Sequence, residues 1–138
     1  MREILFRGKR VDNGEWETGS LLVERMNTSD QQVMIADKMT GYPTLVLPET
    51  VGQYTGLKGK NGLTKIFEGD VLINIYDIDK TYIVVFDDNE ATFKMKYYKY
   101  YCEGKYECYE DMVLCTYCEV IGNIHDDPEL LEVKEHER

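Results

Sequence analysis

The chain has 138 residues, 43% of them hydrophobic, and a formal net charge of −10 from 16 Lys+Arg against 26 Asp+Glu. That length and apolar share suit one packed core without metal or disulfide staples, and they exclude a disordered chain. The acidity disfavours a general duplex-binding surface, which needs clustered cations. No apolar run approaches the roughly 20 residues of a membrane span. Arg2, Glu3 and Arg7 interrupt the apolar segment a secretion signal requires. A cytoplasmic site of action with no membrane partner is therefore expected.

Arg2 to Arg7 reads as a first strand, with Ile4 and Phe6 on one face, and Asp12-Asn13-Gly14 turns the chain. Glu15 to Met26 is expected as a second strand, with Trp16 as a core anchor and Gly19 at a bend or bulge. Asn27 to Asp30 is a polar loop. Gln32 to Ala36 reads as strand, with helix as the competing reading of Gln31 to Met39 because the segment fits both periods. Thr44 to Leu47, closed by Pro48, has the form of an edge strand.

The block Thr50 to Gly62 holds glycines at 52, 56, 59 and 62, and Asn61-Gly62 is a preferred hairpin pair, so two strands are expected to meet there. Glu68-Gly69-Asp70 then turns the chain into a core strand with Val71, Ile73 and Ile75 on one face. Val71 to Tyr76 and Thr81 to Phe86 predict a hairpin around Asp77-Ile78-Asp79-Lys80. An EF-hand reading of that tip fails, because Tyr82 and Asp88 stand where the loop needs its glycine and glutamate. Asp87-Asp88-Asn89-Glu90 is a second acidic turn. The two tips lie at one end of the sheet or at opposite ends, which sequence leaves open.

Ala91 to Tyr101 alternates Phe93, Met95 and Tyr97 against Lys94, Lys96 and Tyr98, and ends in Lys99-Tyr100-Tyr101. Three accounts compete for this strand. It can be an edge guarded by solvated lysines, a single-strand nucleic-acid surface, or a subunit contact built on tyrosines. Lys94, Lys96, Tyr98, Lys99, Tyr100 and Tyr101 are thus the candidate interaction surface. Acidity is local: five acids against Lys80 in residues 77–90, and seven against Lys134 and Arg138 in 119–138, which leaves the rest near neutral. Acids next to the strand disfavour a nucleic-acid partner.

Lys105 to Glu110 and Met112 to Ile121 are read as the last strands. Gly122-Asn123 turns the chain, and Asp127-Pro128 has the form of an N-cap with proline in the first helical position. A short C-terminal helix is expected to pack Glu129, Leu130, Leu131 and Val133 on the barrel, with residues 135–138 frayed. The fold class expected is mainly β: about eight to ten short antiparallel strands in a small closed or partly closed β-barrel, as one domain over 1–134.

Three stretches carry a family likeness: the block Thr50 to Gly62 with Ile66-Phe67-Glu68-Gly69-Asp70-Val71-Leu72, the run Val120 to Leu131, and the opening Arg2 to Arg7. Together they resemble the signature of the YopX family of phage and prophage proteins. The likeness runs from residue 2 to about 131, and is weakest between Asp77 and Tyr117. It implies a phage-borne protein in a bacterial host cell. It carries over no catalytic or binding residue.

No motif assigns a chemistry. Cys102, Cys108, Cys115 and Cys118 fall within one short stretch, and Cys115-Thr116-Tyr117-Cys118 has a zinc-knuckle spelling. On the strand expected there the two thiols point to opposite faces, so small buried cysteines are the commoner explanation and no metal is assigned. A Cys118–His125 nucleophile and base would need the chain to fold back at Gly122. Gly59-Lys60 lacks the Ser or Thr of a phosphate loop. The sequence thus predicts a non-enzymatic module without a cofactor, a homo-oligomer that contacts a host or phage protein. A nucleic-acid-associated protein using Lys94 to Tyr101 is the alternative.

Overall fold

The computed structural model describes residues 1–25 and 31–131. The expected loop Asn27 to Asp30, the end of the helix and the frayed tail lie outside the described residues. Chain contacts divide it into two compact units, Met1–Gly56 and Leu57–Arg138.

In the first unit, β1 (Phe6–Lys9), β2 (Trp16–Arg25), β3 (Gln31–Asp37), β4 (Pro43–Leu45) and β5 (Gly52–Lys58, which runs on past Gly56) follow the order β4-β3-β2-β1-β5. The β1–β2, β1–β5, β2–β3 and β3–β4 pairings are antiparallel. The first strand starts at Phe6, later than its apolar pattern suggests, and the buried Leu5 instead accepts the Tyr54 backbone N–H at 2.8 Å through its carbonyl. Strand wins over helix at β3, where Ile35 is buried completely. The edge position of β4 is as expected for a strand closed by proline. Gly19 carries no bulge: it pairs continuously with Phe6 on one side and Asp37 on the other. Trp16 is half-buried rather than a core anchor, with Arg7 and Lys9 over its ring at 4.7 and 5.6 Å. Lys9 stands opposite Trp16, and Arg7 shares its face two residues back, which places both cations there.

Thr50 fixes the start of the central block. Its Oγ1 accepts the Lys9 N–H at 2.9 Å and donates to the Leu47 carbonyl at 2.7 Å, inside a short 3-10 segment, Pro48–Thr50.

The second unit holds β6 (Lys65–Phe67), β7 (Asp70–Asn74), β8 (Asp77–Asp87), β9 (Thr92–Tyr101), β10 (Gly104–Asp111) and β11 (Cys118–Asn123). Five of these form an antiparallel sheet in the order β10-β9-β8-β7-β11. Asn61 closes the turn before β6 as expected, its Oδ1 accepting the N–H groups of Leu63 and Thr64 at 2.9 Å. Gly69 makes the corner into β7 with φ +91°, a conformation a side chain resists. The mainly β class holds, as two open antiparallel sheets with a short C-terminal helix, and neither sheet closes into a barrel.

Two expected elements move. The β7–β8 turn is Ile75-Tyr76, so Asp77 to Lys80 lie within β8, where Asn74 pairs with Asp77 across a register shift. Asn74 Oδ1 accepts the Tyr76 N–H at 2.9 Å and so does the turning that the aspartates were expected to do. The remaining acidic turn, after Asp87, is at the other end of the sheet. Met112–Tyr117 is a 3-10 segment, not strand. It links β10 at one edge to β11 at the other, and its Met112 and Cys115 belong to the core of Ile66, Leu72, Tyr82, Val84, Met95, Tyr97 and Cys118.

A candidate interaction surface on the β9–β10 hairpin

Alternation along β9 sends Met95 and Tyr97 into the core, which leaves Lys94, Lys96, Tyr98 and Tyr100 on the opposite face. Lys99 and Tyr101 share the face of Met95 and Tyr97, but lie beyond the core toward the hairpin tip. The six candidate residues are therefore split between two faces, four and two, and do not form one surface.

The register of β10 sets their electrostatics. Lys94 stands opposite Asp111, Lys96 opposite Tyr109, Tyr98 opposite Glu107, and Tyr100 opposite Lys105. Lys94 also pairs with Asp87 at 3.6 Å and with Glu90, whose hydrogen bond raises the lysine pKa. Lys96 and Lys105 lie over the Tyr98 ring at 5.5 and 4.3 Å. Residues 92–111 hold four lysines and four acids. The hairpin is electrically neutral and rich in tyrosine.

Its aromatic groups remain accessible: Tyr101, Tyr106 and Tyr109 are 59%, 45% and 49% exposed. Tyr101 and Tyr106 meet edge to face, with centroids 5.4 Å apart. The C-terminal turn brings Leu131 to a shallow groove with Asp79, Thr81, Tyr98 and Tyr100. Tyr98 and Tyr100 therefore line a groove together with the chain's own C-terminal turn.

No sequence signal points to the polar cluster beneath the hairpin. Glu110 accepts from the Tyr82 hydroxyl at 2.9 Å and from Lys80 Nζ at 3.2 Å. Lys80 lies over the Tyr97 ring at 4.8 Å, and Tyr82 meets the same ring edge to face. Burial, then Glu110, raises the Tyr82 pKa, and the bond to Glu110 raises that of Lys80. Each polar group here has a partner, which is how a tyrosine as buried as Tyr82 is tolerated. The glutamate and tyrosine are 28 residues apart in the chain, and only the strand register joins them.

Cys118 and His125 do not meet. Cys118 opens β11 opposite Asn74, whereas Asn123 closes it opposite Asp70, and His125 lies beyond that end. The strand alone spans about 17 Å at its usual rise. Burial pushes the Cys118 thiol up to about 11, away from a nucleophilic thiolate. Cys115 and Cys118 are both buried, in contrast to the opposite faces expected of a strand, because Cys115 lies in the 3-10 segment and Cys118 directly after it, at the start of β11. Their Sγ atoms approach the Lys58 and Leu114 carbonyls at 3.8 and 3.6 Å. Among the described residues no three His, Cys, Asp or Glu side chains are grouped to hold a metal. No helix among them is long and apolar enough to cross a membrane.

Fold and surface together define a class: an open-sheet β protein presenting a neutral, tyrosine-rich edge hairpin. The family model described as YopX protein matches residues 5–132, and the chain belongs to that family. No curated protein matches the chain.

Proposed function

We propose that this YopX-family chain is a non-enzymatic protein-interaction module that works as a homo-oligomer in a phage or prophage setting, in the cytoplasm of a bacterial host. The observation that carries this reading is the exposure of Tyr101, Tyr106 and Tyr109 on a hairpin whose lysines and acids balance. Tyrosines without excess charge suit a protein contact, whereas phosphate binding depends on unbalanced cations. The net charge of −10 further suits a basic protein target.

Light scattering on the eluting protein across a concentration series tests the reading, alongside affinity capture from prophage-induced cells. An oligomer, with a host or phage protein retained at moderate salt, is expected. A monomer at every concentration with nothing retained would sink it.

The rival reading as a single-strand binder has Lys96 and Lys99 to draw on, the two lysines of the strand for which β10 provides no acid directly opposite. A salt titration against single-stranded DNA and RNA separates the two readings. Binding that weakens steeply with salt and is lost on changing Lys94, Lys96 and Lys99 together to alanine would favour the rival. Weak binding with little salt response is expected.

A further inference from the structure

The sheet of the second unit ends at β10, which has β9 on one side and, among the described residues, no strand on the other. An edge of this kind is a template for another strand. We propose that β10 pairs antiparallel with β10 of a second copy, about a two-fold axis at Cys108. The proposal rests on the homo-oligomer reading and names the surface that makes the oligomer.

Register selects this pairing. A two-fold axis normal to the sheet keeps each face on its own side, so odd-numbered residues meet odd and even meet even. Centred on Cys108, Lys105 stands opposite the partner's Asp111, Tyr106 opposite the partner's Glu110, and Glu107 opposite the partner's Tyr109. Symmetry repeats each pair. Every acid of the strand then faces a lysine or a tyrosine hydroxyl, and no like charges are opposed. Glu107 already accepts from Tyr109 within the chain at 2.8 Å, and a carboxylate has lone pairs for a second donor.

The neighbouring registers are worse. Centring on Glu107 opposes it to the partner's Glu107, and centring on Tyr109 opposes Glu107 to the partner's Asp111. Centring on Tyr106 pairs only residues 104–108 and leaves Glu110 and Asp111 without opposites. Each copy offers one such edge, so the pairing closes as a dimer.

The same register opposes Cys108 to the partner's Cys108. Paired antiparallel residues have Cα atoms about 4.5–5.5 Å apart, within the reach of a disulfide. Cys102→Ser leaves Cys108 as the only cysteine that is not buried. Brief oxidation by copper-phenanthroline, in which Cu(II) takes the electrons as two thiols lose their protons, is expected to yield a covalent dimer. Adding Cys108→Ser should abolish it. Lys105→Asp should weaken the non-covalent dimer roughly tenfold by opposing acids at two symmetric positions, and Asp111→Lys in the same chain should restore it. Circular dichroism checks that each variant is folded. An oligomer that neither cross-links through Cys108 nor responds to the exchange of charges overturns this interface and leaves the oligomer reading standing. A monomer at every concentration overturns both.

Discussion

Asp70 is only 2% exposed, and its Oδ2 accepts the Phe67 backbone N–H at 2.8 Å across the Gly69 corner. Asp70→Ala removes that acceptor from a buried donor, and should cost about 1–3 kcal/mol of stability, read as a lower urea midpoint. Asp70→Asn keeps an acceptor and should cost less; an alanine variant as stable as the parent would refute the role. The corner itself is legible in Glu68-Gly69-Asp70, but burial of the acid is not, because aspartate is ordinarily exposed and its partner is set by three-dimensional placement. Alkali acts on two buried groups. Cys118 is held neutral by burial, with its pKa raised from 9.0 to about 11, and Tyr82 is raised in the same direction. An unfolded chain loses these protons first. Stability is therefore full below about pH 9 and falls by ~1.4 kcal/mol per pH unit for the thiol as pH rises toward 11. Urea titrations at pH 8.5 and 10.5 should show the drop, and Cys118→Ala should reduce it, leaving the part due to Tyr82; a flat profile in the parent would contradict the burial.

Elements with a clean period were readable, and those without one were not. β9 alternates from Phe93 to Tyr98, so both its existence and its buried face follow from Phe93, Met95 and Tyr97. Met112–Tyr117 has Val113 and Leu114 in a six-residue run, too short to tell a 3-10 crossover from a strand. What decides the matter is the sheet order, which places β10 and β11 at opposite edges and obliges the connection to cross. The β7–β8 turn falls earlier than composition suggests for a related reason: Asn74 supplies the turn, yet Asp77 and Asp79 have the stronger turn composition. The same chemistry recurs after β11, where it can be tested. Asn123 Oδ1 accepts the N–H groups of His125 and Asp126 at 3.0 and 2.9 Å, and its Nδ2 donates to Asp126 at 3.0 Å. Asn123→Ala should loosen this turn by about 1–3 kcal/mol. Hydrogen exchange should quicken at residues 124–127 while β8 stays protected, and uniform exchange across both would argue for a wider role of Asn123.

At the scale of the molecule, acidity and contact surface are separated. The hairpin that offers tyrosines is neutral, while residues 119–131 carry four acids and no lysine or arginine. The family and the β class were legible in the glycine-punctuated middle of the chain. The candidate surface was legible only in part: tyrosines and lysines are visible in the sequence, but the acids that balance them come from β10 and the Asp87 turn through pairing.

The crossover that buries two thiols also gives the protein an internal stopwatch. Cys102 is exposed and Cys108 half-buried, while Cys115 and Cys118 are sealed beneath the crossover. A chromogenic disulfide reagent should consume Cys102 promptly, Cys108 as fast as the paired β10 edge parts, and Cys115 and Cys118 only as fast as the second unit opens. That last rate follows core opening without any added label, and the appearance of four prompt thiols in the folded protein would show that the seal is absent.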